Sequence, residues 1–181
     1  MARLTQISDA DASPAAAELF GAIKGKVGMV PNLYRVVANQ PAALVALLQF
    51  GDQLGKGNFD AKTREAIALA VAGANKCDYC ASAHTTISTA MLKVDAVEAA
   101  GHLRAKSADA RLQAILDLSV AIVEKRGFAS DADVAAARAA GLSEGDIVEV
   151  VANVVVNIFT NYINHVAQTD IDFPVVKVDA A

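Results

Sequence analysis

Asp60-Ala61-Lys62-Thr63-Arg64-Glu65-Ala66-Ile67-Ala68-Leu69-Ala70-Val71-Ala72-Gly73, followed after three residues by Cys77-Asp78-Tyr79-Cys80-Ala81-Ser82-Ala83-His84, sets the helical reading of the chain. Asp60 is a helix-capping residue placed just before an apolar run, and Gly73 stands where that run stops. The break Gly73-Ala74-Asn75-Lys76 then leads into a second helix that opens on the cysteine pair and is expected to reach about Lys93. No stretch of strict apolar/polar alternation competes with the 3.6-residue period. The fold class that follows is all-α.

Outward from this pair, caps and breakers divide the remainder. Ser13-Pro14 is a helix start, with Ser at the cap and Pro at the first helical position, and that helix is expected to run to about Lys26. A short helix within Val30–Val37 ends at Asn39-Gln40-Pro41, and a third runs from Pro41 to about Leu54 before Gly55 and Gly57. A brief turn of helix over Ala96–Ala100 is closed by Gly101. Three more are expected: Asp109–Arg126 before Gly127, Asp131–Ala140 behind Ser130, and Glu144 to about Gln168 behind Ser143. Asp172-Phe173-Pro174 cannot continue a helix. No low-complexity linker divides the chain, so residues 1–181 are expected as a single all-helical domain with a redox core at about 59–94. The interval from Glu65 to His84 recurs from Asp146 to His165, which raises a duplicated helical pair as an expectation.

Composition narrows the class. Of 181 residues, 54% are hydrophobic, 5% aromatic and 20% charged, with no Trp. Alanine supplies about a fifth, well above ordinary globular usage. So apolar a chain is not disordered. The longest unbroken apolar stretches, such as Ala66–Ala72, fall far short of the roughly 18 to 20 residues a spanning helix needs, so no membrane partner is expected. A formal charge of −4 with scattered Lys and Arg argues against nucleic acid. Nothing after Met1 reads as a signal peptide, and a cytoplasmic location is expected. So little polar surface predicts that some apolar area is buried between subunits of a homo-oligomer.

The two cysteines carry the chemistry. In a reducing compartment Cys77-x-x-Cys80 reads as redox or metal chemistry, against the blander reading of two small packed apolar residues. Cys77 sits at a helix start, where free N–H groups and the helix dipole stabilise a thiolate. Cys80 and His84 are four residues apart, so Cys77, Cys80 and His84 align along one helical stripe. A histidine there can take the thiol proton or stand as imidazolium beside the thiolate. Glu65, carried back by an antiparallel helix, is the candidate that orients His84; the alternative for Glu65 is a solvent-facing partner of Lys62 or Arg64.

Glu65, eleven residues, Cys77-x-x-Cys80, three residues, His84 resembles the signature of the alkyl hydroperoxidase D family in the carboxymuconolactone decarboxylase superfamily. Val30-Pro31-Asn32 with Pro41, and Asn161-Tyr162-Ile163-Asn164-His165 with Asp170-Ile171-Asp172-Phe173-Pro174, resemble its longer peroxidase-related members. The resemblance implies an orthogonal bundle of helices forming homotrimers or homohexamers, and a thiol peroxidase reducing hydrogen peroxide or small organic hydroperoxides with no bound cofactor. It further implies Cys80 as the peroxidatic thiol, Cys77 as the resolving thiol, a Glu65–His84 proton relay, and a dithiol reductant of lipoyl or thioredoxin-like type. Some members of that family carry a histidine directly before the second cysteine, where this chain has Tyr79, which could donate to a thiolate or line the pocket but is a poor base. The decarboxylase branch lacks the cysteine pair.

Other readings attach to the same residues. Cys77, Cys80 and His84 could hold zinc with Glu65 or His165 as the fourth ligand, although the spacing announces no complete set and no metal is expected. A non-catalytic helical interaction protein is the third class. In the last long helix Asn153, Asn157 and Asn161 share a face, with Asn164 and His165 following. That stripe fits either a substrate pocket or a polar seam at an oligomer contact, with Phe159 and Tyr162 able to line the same region. Asn161 and His165 are therefore candidate pocket residues beside Tyr79; helix packing is the expected role of His165 ahead of catalysis. His102, following Gly101 in a turn, is expected to be exposed.

Overall fold

Side-chain caps open most of the helices where the sequence places them. In a computed structural model that describes residues 2–180, the chain forms α1 (Pro14–Val27), α2 (Asn32–Val37), α3 (Pro41–Leu54), α4 (Ala61–Ala74), α5 (Asp78–Thr86), α6 (Ala96–Leu103), α7 (Ala110–Glu124), α8 (Asp131–Ala139) and α9 (Glu144–Ala167). Ser13, Asp60, Asp95, Asp109, Ser130 and Ser143 each accept a hydrogen bond from a backbone N–H in the first turn of the helix they precede. Ser130 with Asp133 and Ser143 with Asp146 close reciprocal capping boxes. No strand occurs among the described residues.

Helix α4 is the axis of the bundle. Every residue from Ala66 to Ala72 is buried, and α5, α6, α7 and α9 all pack against it. Alternating Ala with Ile, Leu and Val lets neighbours approach from several sides without leaving voids. One apolar core, with Leu69 and Ala72 from α4, joins α1, α2, α5 and α6. A second, with Ile67 and Val71, joins α7, α8 and α9. At the end of α4 the Leu103 carbonyl sits 2.0 Å from where a Cβ on Gly73 would stand, so only glycine admits α6 so closely.

Four sequence expectations change. The helix of the cysteine pair ends at Thr86, and Ile87–Met91 forms a π-helical turn rather than a continuation to Lys93. Helix α6 runs through Gly101 to Leu103; the glycine admits the returning chain, with Lys106 N–H donating to the Gly101 carbonyl at 2.8 Å and the Lys106 oxygen 3.1 Å from a would-be Cβ. His102 therefore lies in a helical turn at 3% exposure, not on the surface, and burial pushes its imidazole below the ordinary range against the opposing pull of Glu98. Asp146 and His165 lie on one helix, about 28 Å apart at 1.5 Å per residue. They form no counterpart to the Glu65–His84 pair, which bridges two helices.

By length and composition α9 is a candidate to cross a membrane, the only one among the described residues. Its asparagines interrupt the apolar runs, which is why unbroken stretches missed it. Those asparagines are buried, and the helix packs on α2, α3, α4, α5 and α7.

Candidate active site

The turn between α4 and α5 brings the cysteine pair and the carboxylate to one place. Cys77 is the N-cap of α5, and its sulfur accepts the Cys80 backbone N–H at 3.5 Å. The antiparallel return carries His84 back along α4, where its Nδ1 meets Glu65 Oε2 at 2.7 Å. Both side chains are largely shielded from solvent. Burial works against a charged imidazole, yet the Glu65 carboxylate outweighs it and raises the His84 pKa, with a further contribution from Cys77.

Both cysteines are free thiols, Cys77 at 1% and Cys80 at 2% exposure. A helix-start effect predicted a thiolate at Cys77, but the surroundings favour it at Cys80. The hydrogen bond from the Cys77 thiol is the largest influence lowering the Cys80 pKa; burial opposes it, and Asn164, Asn161 and Thr160 add to it. Giving up that proton leaves Cys77 as the donor and drives its own pKa up, with desolvation acting in the same direction. Asn164 Nδ2 donates to Cys80 Sγ at 3.2 Å.

The asparagine stripe faces inward, toward this site. Asn153, Asn157, Asn161 and Asn164 are all buried, so the alternative of an outward polar seam is overturned. Asn153 and Asn157 donate to the Glu149 and Asn153 carbonyls one turn back, both at 2.9 Å. Asn161 accepts from Asn75 Nδ2 at 2.9 Å, which ties α9 to the turn before Cys77.

A cavity of about 630 Å³ opens onto Cys80 and His84. Its wall is aliphatic over most of its area, with Glu65, Arg64, Tyr34, Asn153, Asn157 and Thr160 as polar members and Lys26 and Asp52 paired at 3.1 Å. The π-helical turn contributes Ile87 and Met91. Asp172, Phe173 and Pro174 of the C-terminal segment form another part of the wall.

The candidate pocket residues separate. Tyr79 lines the cavity, but its hydroxyl does not serve a thiolate: it donates to Asp172 Oδ1 at 2.8 Å and accepts from Leu33 N–H at 3.0 Å. Asp172 also accepts from Asn32 N–H at 2.8 Å, so Tyr79 clamps the C-terminal segment to α2. Asn161 lies behind the wall, against Cys80, rather than on it. His165 does not line the cavity; its ring stacks on exposed Tyr162, with centroids 6.4 Å apart. Tyr162 and Phe159 lie on the outer side of α9, away from the asparagines, because they fall about half a turn from the asparagine stripe. No group of three or more His, Cys, Asp or Glu side chains among the described residues is placed to hold a metal ion, and the zinc set proposed from spacing does not assemble. Sequence reading passed over Tyr34 and Asp172 and gave Asn164 no role. For Asn164 the signal was present, three residues beyond Asn161 on the same face.

The carboxymuconolactone decarboxylase family profile matches residues 41–100, a span that holds Glu65, Cys77, Cys80 and His84. Among curated proteins no sequence match is found. Solved structures are similar over nearly the whole chain. The alkylhydroperoxidase AhpD core of an uncharacterized peroxidase-related protein from Ralstonia eutropha JMP134 aligns with a TM-score of 0.84 and 23% identity, covering 94% of this chain and 92% of that one. An uncharacterized peroxidase-related protein from Silicibacter sp. TM1040 gives 0.80 and 24%, covering 92% and 88%. The debrominase Bmp8 in complex with 2,3,4-tribromopyrrole gives 0.79 and 19%, covering 93% and 91%. The all-helical bundle with its cysteine pair at the α4–α5 turn is thus the AhpD-like fold, and within it residues 41–100 match the carboxymuconolactone decarboxylase family profile.

Proposed function

We propose that this protein is a thiol-dependent peroxidase that reduces hydroperoxides through Cys80 and Cys77, with Glu65 and His84 as its proton relay. The observation that carries the reading is the setting of Cys80: on a cavity wall, with Asn164 donating to its sulfur at 3.2 Å, beside a histidine held by a carboxylate at 2.7 Å. The Cys80 thiolate attacks the terminal peroxide oxygen. The O–O bond breaks, Cys80 becomes a sulfenic acid, and the departing alkoxide takes the His84 proton. The Cys77 thiol then attacks the sulfenic sulfur, forming the Cys77–Cys80 disulfide and releasing water. A lipoyl or thioredoxin-like dithiol restores both thiols by exchange. Copies of the chain assemble as a homotrimer or homohexamer through the exposed side of α9.

Two single variants test the assignment. Cys80→Ser should lose peroxide turnover by at least about 1,000-fold, as when a nucleophile is removed. Cys77→Ser should react once and stall as a sulfenic or over-oxidised form visible by mass spectrometry. Full turnover by Cys80→Ser sinks the nucleophile assignment. A second reading, reductive dehalogenation by the same thiols, is favoured by the aliphatic cavity and the likeness to a debrominase. Bromide release from a brominated pyrrole in the absence of peroxide, together with inert thiols in its presence, selects that reading.

A further inference from the structure

An amide pair ties the turn between α4 and α5 to α9. Asn75, the C-cap of α4 and two residues before Cys77, donates from Nδ2 to Asn161 Oδ1 at 2.9 Å. That bond selects one of the two orientations open to the Asn161 amide: its oxygen turns to Asn75, and its Nδ2 group is left on the other side. Asn161 is 0% exposed, and this Nδ2 has no hydrogen-bond partner among the described residues.

A buried donor without an acceptor costs folding stability, so its surroundings should account for it. Asn164 stands three residues further along the same face of α9, and its Nδ2 reaches Cys80 Sγ at 3.2 Å. Asn161 acts on the same sulfur, and both amides favour its charged form. A neutral thiol is a weak acceptor and a thiolate a strong one, so the Asn161 donor finds its full partner only when Cys80 ionises. The titratable groups around this sulfur are Cys77, Tyr79 and His84 on its own turn and helix, Glu65 on α4, and Asp172 beyond Tyr79. Helix α9 turns amides and the Thr160 hydroxyl toward it, and no charged side chain.

Resting on the reading of Cys80 as the reactive thiol, we propose that Asn161 is a second amide donor kept for the Cys80 thiolate, and that Asn75 is the positioning residue that aims it. Asn75 acts through Asn161. Without the Asn75 N–H, the Asn161 amide is free to turn over and present its oxygen to the sulfur, which opposes a negative charge there.

A double-mutant cycle separates this role from a merely structural one. The readout is the pH midpoint of Cys80 alkylation by iodoacetamide, with the site of reaction located by tandem mass spectrometry. Asn161→Ala should raise the midpoint by about one pH unit, as for one lost hydrogen bond to a charged group. Asn75→Ala should raise it by about half a unit in the wild-type background and leave it unmoved when Asn161→Ala is already present. If Asn161→Ala does not fold, Asn161→Leu, which fills the site without a donor, takes its place. An unmoved midpoint in the Asn161 variant overturns the donor. A shift from Asn75→Ala that is equal in both backgrounds, or absent from both, overturns the positioning role. A wild-type Cys80 that titrates as an ordinary thiol and is inert to hydrogen peroxide would instead defeat the underlying reading of the reactive thiol.

Discussion

At the scale of single residues, the two cysteines differ because of what surrounds them, not because of where they stand in the motif. Both are buried, and Cys77 has the better helix-start position. Cys80 nevertheless collects the donors, from Cys77 and from α9. Asn164→Ala removes a charge-assisted donor of the kind worth about 1.5 to 3 kcal/mol, and should raise the Cys80 pKa accordingly. The direction follows from linkage. A depressed thiol pKa keeps thiolate present at lower pH, so alkylation of wild-type Cys80 should have its midpoint below that of an ordinary thiol, and the variant's midpoint should move upward. Iodoacetamide kinetics across pH measure both, and an unshifted midpoint in Asn164→Ala removes this amide from thiolate stabilisation. His84 and the cysteine spacing were legible in the sequence because helical periodicity fixes i to i+4 neighbours, and Glu65 because a short break between two helices returns the second antiparallel to the first. The Asn164 contact was not, because it joins groups 84 residues apart.

Among the elements, α4 and α9 show opposite uses of apolar sequence. Alanine makes α4 thin enough to be enclosed by four other helices, and Gly73 extends that logic to a backbone contact with α6. Replacing Gly73 with Ala would gain about 1 kcal/mol in helix propensity, but forcing a methyl into the Leu103 carbonyl costs about 3 kcal/mol. The clash wins, and a net loss of about 2 kcal/mol is expected in urea denaturation. A variant as stable as wild type would mean that α6 moves aside freely. Helix α9 turns its amides inward and much of its valine and aromatic surface outward, the reverse of an ordinary amphipathic helix. Its boundaries were readable from Ser143 and the apolar run, but its buried face was not: periodicity identifies two faces and leaves open which one meets the core. The C-terminal segment was readable only as non-helical. Its docking depends on α5 presenting Tyr79, Ser82 and Asp78 to Asp172, Val176 and Val178.

At the scale of the whole molecule, the outer side of α9 carries Val148, Val151, Val155, Phe159, Tyr162 and Val166, all exposed and within one narrow arc. From Val150 to Ala167 this helix has no Asp, Glu, Lys or Arg to keep the face hydrated. The stripe adjoins a shallow groove formed by Ala43, Ala46, Leu47 and Phe50 of α3 with Val155, Val156 and Phe159. Surface of this kind is expected to be covered by a second copy of the chain. Light scattering coupled to size exclusion should find an oligomer for the wild type. Val151→Glu with Val155→Glu should shift it to monomer with the helical circular dichroism retained. A monomeric wild type at micromolar concentration would refute this interface.

Sequence alone determined what local physics controls. Cap residues and breakers set most helix starts, the 3.6-residue period set the all-α class, and the spacing of Cys77, Cys80 and His84 put three reactive groups on one stripe. Only the tertiary structure decided which thiol is favoured as thiolate, which face of α9 is buried, and that the C-terminal segment forms part of the cavity wall. Those outcomes depend on groups far apart in the chain meeting at short range, where burial and donor placement set the energies. No local pattern encodes such a meeting.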